Sequence, residues 1–321
     1  MNNLNKLKTC IDLLREFEQK NLNILGKKLT FSGTDGSDVY NITKPFEDDG
    51  DMIIAGRVEH RNSEISEIIF FKELDGKWVK VEKNIKFELQ DPFMTRINGE
   101  LILGGVEIFR HPTIIGGMRY RTVFYRGMGI DNLKKFAVGP EMMKDIRLLE
   151  LSQNRILVFS RPQENGSRGK IAVTEINCLE ELKAEVIANA FVIQKQFVDE
   201  EWGGANELHL LSNGLIGVLG HVSRCDEMMN RHYYAMTFCY NPLTQETSPI
   251  KIIATRKNFE NGEYKRKDLI DVIFSGGINR LPNGMAELYA GVSDAEAHKI
   301  TIEDPFVEYE KTSGVIKVMS K

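Results

Sequence analysis

Gln90-Asp91-Pro92-Phe93-Met94-Thr95-Arg96-Ile97-Asn98-Gly99-Glu100-Leu101-Ile102-Leu103-Gly104-Gly105 is the stretch that decides the fold. An acid opens a predicted strand, Asn98-Gly99 supplies a tight turn, and an apolar strand returns to small residues. Asn-Gly is a strong hairpin signal because both residues accept the positive φ of a two-residue turn. Four partial copies share the layout: Asp38 to Arg57, Asp145 to Arg161, Asn206 to His221 and Gly277 to Gly291. Their turns read Asp48-Asp49-Gly50, Gln153-Asn154, Asn213-Gly214 and Asn283-Gly284. The closing residues Arg57, Gly105, Arg161, His221 and Gly291 recur at steps of about 50 to 70 residues. A hairpin-containing repeat of roughly 50 residues has the period of a propeller blade. The expectation is therefore an all-β, five-bladed β-propeller with four strands per blade, spanning residues 1–321 as one domain.

The flanking sequence fits. Between Lys28 and the C-terminus, β-branched and aromatic runs alternate with Gly, Asn and Asp turns, the texture of an all-β protein. Residues 1–25 read as a helical extension packed outside. Leu4, Leu7, Ile11, Leu14 and Phe17 give residues 4–19 one apolar helical face. A weak helical pattern covers Leu179–Ala190. A strand near Lys28–Ser32 is expected to complete the last blade, since ring closure between chain ends removes an exposed sheet edge.

Composition narrows the function classes. Of 321 residues, 42% are hydrophobic and 27% charged, enough for a sizeable core. A net charge of −4 gives no nucleic-acid footprint. The first residues lack the apolar core of a signal peptide, and no apolar run approaches the roughly 18 residues of a membrane span. Cys10, Cys178, Cys225 and Cys239 show no C-x-x-C spacing, so they read as reduced, structural thiols of a cytoplasmic protein. No metal site is indicated: His60, His111, His209, His232 and His298 are scattered, as surface or turn residues would be.

If the repeats are in register, equivalent positions ring the central channel. Asp38, Asp91, Asp145, Asn206 and Gly277 start the inner strands; Arg57, Gly105, Arg161, His221 and Gly291 close the next ones. An unpaired charge buried there would cost several kcal/mol, so these groups need partners or a ligand. A convergent acid beside a basic cluster suits glycosyl transfer to phosphate: the acid protonates the leaving oxygen, and Arg holds the phosphate bidentately. Ion pairing of Asp145 with Arg147 or Arg161 is the structural alternative.

The ordered pieces resemble a known group. Gly56-Arg57-Val58-Glu59, Gln90-Asp91-Pro92, Lys144-Asp145 with Phe159-Ser160-Arg161-Pro162, Gly220-His221-Val222 and Tyr289-Ala290-Gly291-Val292-Ser293-Asp294 carry the likeness. The chain resembles the five-bladed mannoside phosphorylases of glycoside hydrolase family 130. It is more similar to their relatives grouped as domain of unknown function 1861, linked to the β-1,2-mannan mannosyltransferase/phosphorylases of glycosyltransferase family 108. The resemblance runs over roughly residues 30–305. One departure is Phe93, where family 130 carries Arg two places after its catalytic Asp; Arg96 is the nearest substitute.

The resemblance implies inverting phosphorolysis of a β-mannoside to α-mannose 1-phosphate, reversible as chain elongation. Phosphate needs no base, so one acid suffices, whereas most glycoside hydrolases need two carboxyl groups. Asp91 is the expected general acid, acting through a substrate hydroxyl; its task calls for a raised pKa, which Pro92 and Phe93 favour by apolar cover and Arg57 and Arg96 oppose. Arg57, Glu59, Asp145, Asp294 and Trp202 are the expected substrate-binding residues, and Lys144, Arg161 and His221 the phosphate-binding ones. Trp202 reads equally well as a sugar platform or as core. The expected partners are a mannose-containing oligosaccharide with phosphate or mannose 1-phosphate, with GDP-mannose as an alternative donor. No nucleic acid, membrane or organic cofactor is expected. The alternatives are a hydrolase on the same propeller, with Asp145 as base, and a non-catalytic sugar-binding propeller.

Overall fold

A computed structural model describes residues 7–82, 86–151, 154–163 and 169–312. Leu4 and Gln153, both used in the sequence reading, lie outside the described residues. Regular secondary structure in the described residues is nearly all strand, with a few short helices. Among the described residues five antiparallel meanders follow one another. The first strands of the second to fifth are Gln90–Ile97, Lys144–Glu150, Trp202–Leu210 and Asp271–Arg280. In the first meander, Asp38–Tyr40 and Phe46–Asp48 both pair with Asp51–Glu59 and form two pieces of one interrupted strand. First strands of the second to fifth meanders pack against one another in succession, and the first meander joins the second through Asp51–Glu59. The fourth and fifth meanders are joined into one sheet by a short parallel contact, His232 with Asp271 and Tyr233 with Val272.

The turn chemistry works as the sequence implies. At Asp49-Gly50 and Asn98-Gly99 both residues take positive φ, 49° and 79° in the first, 51° and 79° in the second. In Asn213-Gly214 and Asn283-Gly284 only the glycine does. Apolar residues fill the space between meanders; Ile53, Ala55 and Phe70 of the first, for instance, join Leu101, Leu103 and Val123 of the second.

Ring closure divides the segment near Lys28–Ser32. Lys27 and Lys28 pair with Lys299 and His298 of the fifth meander. Phe31 and Ser32 turn instead to Trp78 and Val79 of the first. Both sheet edges are thereby covered by one short stretch of chain.

The N-terminal helix is shorter than residues 4–19. It runs Cys10–Glu18, because Thr9 caps it: Thr9 Oγ1 accepts from Asp12 N, and the Asp12 carboxylate accepts from Thr9 N. Its buried face is Cys10, Leu13 and Phe17, whereas Ile11 is 40% exposed. The weak pattern at 179–190 becomes a 3₁₀ turn, Leu179–Glu181, and one α-turn, Ala184–Ala188. None of the four cysteines is in a disulfide; Cys10 and Cys239 are buried and Cys178 and Cys225 half-buried. His298 departs from the surface expectation: it is fully buried against Glu296, 3.0 Å away. Among the described residues no helix is long and apolar enough to cross a membrane.

Candidate active site

The first strands of the second to fifth meanders each carry one extra residue, and the charged groups gather at these bulges and at the break in the first. The ladder shifts between Gln90 and Phe93, Lys144 and Arg147, Ala205 and Glu207, and Ser275 and Gly277. Asp91 and Asp145 take φ of 49° and 56° in the second and third meanders, and Asn41 takes 46° in the first. Asp and Asn enter this left-handed region more readily than other residues with a Cβ. The inner ring is therefore Asn41, Asp91, Asp145, Asn206 and Gly276. This corrects two of the expected members. Asp38 lies at the strand's outer end, paired with Arg61, and Gly277 is one residue past its bulge. The opposing ring also shifts: Tyr40 faces Arg57 and Lys144 faces Arg161, but Gln90 faces Val106 rather than Gly105.

Asp91 sits in a cationic corner. Its Oδ1 accepts from Asn41 Nδ2 at 2.8 Å and Arg57 Nη1 at 3.1 Å. Burial alone would raise its pKa, but Arg57 and Lys144 outweigh burial and hold the carboxyl below its usual range. The raised pKa that the task calls for is thus not met in the free protein. Arg96 is not the cause; it points away, donating to the Gly99 and Glu47 carbonyls.

Arg57 and Glu59 form a bracket behind Asp91. Arg57 Nε and Nη2 donate to Glu59 Oε2 at 3.2 and 2.7 Å, and its guanidinium lies over the Tyr40 ring. Burial works against the Arg57 charge, but Asp91, Tyr40 and Glu59 keep its pKa above the ordinary value. Glu59 Oε1 accepts from Tyr40 Oη at 2.8 Å and from Lys265 Nζ. Glu59 thus accepts four hydrogen bonds within the chain, the full complement of a carboxylate. In this arrangement it holds Arg57 and Lys265 in place. Asp294, with φ of 50°, completes this side. Burial, helped by Asp91 and opposed by Arg57 and Lys265, raises its pKa.

The second group centres on Asp145. Its Oδ2 lies 3.2 Å from Arg161 Nε and 3.9 Å from His221 Nε2. The structural alternative therefore holds in part: Asp145 and Arg161 do pair, within one meander. Burial opposes the Asp145 charge, but Arg161 and its neighbours drive the pKa far below the carboxylate range. Burial pushes the His221 imidazole down to about 3 despite the nearby Asp145, so the ring is neutral at pH 7. His221 Nδ1 donates to Asn206 Oδ1 at 2.9 Å, and the ring stacks on Tyr233, centroids 5.4 Å apart.

Lys144 and Arg161 share a cavity of about 780 Å³ with Gln90, Tyr120, Gln163, Trp202, Arg231 and Tyr233. Among the described residues Lys144 makes no ion pair or side-chain hydrogen bond, so its ammonium is uncommitted. Trp202 is only 7% exposed, packs edge-on against Tyr233 and donates from Nε1 to its hydroxyl at 3.2 Å. It is a wall of the cavity rather than an open platform.

The structure thus brings Asp91, Arg57, Glu59 and Asp294 together, and Lys144, Asp145, Arg161, His221 and Trp202 beside them. Lys144 links the groups: its charge acts on Asp91, Asp145, His221 and Asp294. The sequence reading missed Asn41, Tyr40, Tyr233 and Lys265. Asn41 had a signal: Asn41-Ile42 matches Asp145-Ile146 as an Asx residue before an aliphatic one. Lys265 had none, because it arrives from a connection between meanders. Among the described residues no cluster of His, Cys, Asp and Glu could hold a metal ion.

Antiparallel meanders around a buried charged centre place the chain among the propeller-like, nearly all-β proteins. It belongs to the family described as Protein of unknown function (DUF1861), whose model matches residues 15–308. Among solved structures it is similar to MPT-4, a mannose phosphorylase from Leishmania mexicana in complex with phosphate ion. Identity is 36%, coverage 94% of this chain and 95% of that one, and the TM-score 0.86. It is similar to MPT-1, a GDP-Man-dependent mannosyltransferase from the same organism, at 34% identity, 93% and 95% coverage and TM-score 0.84. The β-1,2-mannobiose phosphorylase from Listeria innocua shares the fold at 12% identity, 96% and 98% coverage and TM-score 0.60. No curated protein sequence matches the chain.

Proposed function

We propose that this chain is an inverting mannoside phosphorylase that also runs in reverse, elongating β-mannosides, of β-1,2 linkage, from mannose 1-phosphate. One observation carries the reading. An uncommitted Lys144 and the buried Arg161 face one cavity, next to an acid held by Arg57 and Asn41. That pairing supplies an anion site beside a proton donor, the minimum a phosphorylase needs. The similarity to a mannose phosphorylase with bound phosphate supports it.

In this reading Lys144 and Arg161 hold inorganic phosphate, the co-substrate, and neutral His221 and Tyr233 shape its seat. A phosphate oxygen attacks the anomeric carbon from the face opposite the leaving oxygen. Asp91, once protonated, returns a proton to the departing oxygen through a sugar hydroxyl. Arg57 and Asp294 hold the mannosyl unit. The products are α-mannose 1-phosphate and the shortened mannoside. A hydrolase is less well supported, because Asp145, the candidate base, is buried in its pair with Arg161. We read the five meanders as five blades of one catalytic domain working in the cytoplasm.

Incubation with mannose 1-phosphate and short β-mannosides should release phosphate and lengthen the acceptor. Turnover of β-mannosides that ignores phosphate concentration would move the assignment to a hydrolase. A second reading, transfer from GDP-mannose, draws on the room in the cavity beyond one phosphate and on the likeness to MPT-1. Release of GDP in place of phosphate identifies it.

A further inference from the structure

We propose that Lys265 is a positioning residue for the Asp91 corner, delivered by the connection between the fourth and fifth meanders. The proposal rests on the phosphorylase reading above. Lys265 is 5% exposed in its side chain, unusual for a lysine, and its ammonium contacts Glu59 and, at 3.1 Å, Glu64. Its backbone is fixed as well. Lys265 N donates to Ser293 O at 3.0 Å, beside Asp294. Ser293 Oγ donates to Ile270 O and accepts from Arg256 Nε, so both ends of the connection are stitched to the turn that carries Asp294.

The consequence is electrostatic. Arg57 is shared by two buried carboxylates, Glu59 through Nε and Nη2 and Asp91 through Nη1. Lys265 satisfies the other Glu59 oxygen together with Tyr40. Without that cation Glu59 carries an underpaired charge in a dry site and draws the guanidinium towards itself. Asp91 then loses its Arg57 contact and its alignment. Lys265 acts through Glu59 and Arg57; it does not touch the reacting atoms in this arrangement.

The test uses the full-length protein and Lys265→Met, which keeps most of the side-chain volume. Expected are a kcat on β-1,2-mannobiose lowered about 10- to 100-fold, the scale of a misaligned catalytic group, and a phosphate KM within twofold of wild type. In a Glu59→Gln background Lys265→Met should cost at most twofold more, because its route is already cut. Equal losses in both backgrounds, an unchanged kcat, or a phosphate KM that rises in parallel would overturn the proposal. Lys265→Gln, which can still hydrogen-bond Glu59, replaces the Met variant if that variant melts early. Should wild type turn over no mannoside, the phosphorylase reading fails, and the Lys265 role is then read by NMR. The Arg57 Nε–Hε resonance must shift in Lys265→Met, and an unmoved signal rejects the role.

Discussion

Asp91→Asn is the sharpest perturbation, because it removes a transferable proton and keeps the side chain's shape. In the resting protein the carboxylate accepts from Asn41 at 2.8 Å and from Arg57 at 3.1 Å. An amide oxygen at the same position keeps both contacts, and Arg57 keeps its two bonds to Glu59. The stability cost is therefore that of weakening one charge-assisted bond, about 1–2 kcal/mol. The catalytic cost is far larger. General acid catalysis contributes about 10²- to 10⁴-fold, or about 3–5 kcal/mol of barrier. Removing a buried negative charge beside Lys144 leaves phosphate affinity unchanged or tighter. The expected signature is a kcat down at least about 100-fold, with phosphate binding retained. An activated aryl mannoside, whose leaving group needs no proton, should recover most of the loss. Wild-type kcat/KM should rise as pH falls from 7 towards 5, because Arg57 and Lys144 keep Asp91 ionised in the free enzyme. Initial-rate phosphorolysis of both substrates by both proteins decides the matter. Near-wild-type turnover of the natural mannoside by Asp91→Asn would refute the assignment.

Lys144→Met should raise the phosphate KM about 10- to 100-fold, the value of a charge-assisted contact of about 1.5–3 kcal/mol. It should also lower the melting temperature, since the Lys144 charge offsets those of the buried Asp91 and Asp145; calorimetry with phosphate checks the affinity. His221 binds a proton in the unfolded chain below about 6.5 but in the folded protein only near 3. The sign follows: its stability contribution is complete above pH 6.5 and is lost as pH falls towards 3, by at most about 1.4 kcal/mol per unit. His298 is depressed in the same direction, so His221→Asn should flatten, not abolish, the fall in denaturation midpoint between pH 6.5 and 4. Gly276→Ala should destabilise by about 1–3 kcal/mol or more, since its Cβ would lie 1.6 Å from the Ile42 carbonyl oxygen; a denaturant midpoint equal to wild type would contradict that packing.

The sequence made the architecture legible wherever a local rule governs. Asn98-Gly99 and Asp49-Gly50 adopt the backbone their composition demands, and the acids at 91 and 145 fall on equivalent positions. What it obscured was register and reach. Counting from turns put Asp38 in the ring. The first strand is interrupted, which moves the equivalent position to Asn41, three residues on. One extra residue per strand is invisible to a pattern of alternation. The charge state of Asp91 required weighing the apolar cover of Pro92 and Phe93 against the opposing charge of Arg57, and sequence alone does not give those distances. Pro92 and Phe93 are visible neighbours in sequence, whereas Arg57 and Lys144 come from the two adjacent meanders. Lys265 lies 206 residues from Glu59, beyond any local signal.

The bulges explain why one fold can put acids and bases so close together without collapsing them into inert pairs. In a regular strand successive side chains point to opposite faces of the sheet. The left-handed residue breaks that alternation and swings each carboxylate towards its neighbouring meander. Asp91 thereby meets Arg57 and Asn41 of the first, and Asp145 approaches His221 of the fourth. These contacts join the first meander to the second and the third to the fourth. Gly291 closes the circuit, because only a residue without Cβ leaves room for Asn41, whose Oδ1 would lie 2.0 Å from that atom. The charge of Asp145 is matched within its own meander by Arg161, whereas that of Asp91 is matched from across the seam by a guanidinium that Glu59 already holds. Of the two acids, Asp91 has the neighbour that can be drawn off without unmaking its own sheet. That difference in commitment supports the proposed assignment of Asp91, rather than Asp145, as the acid that changes protonation during turnover.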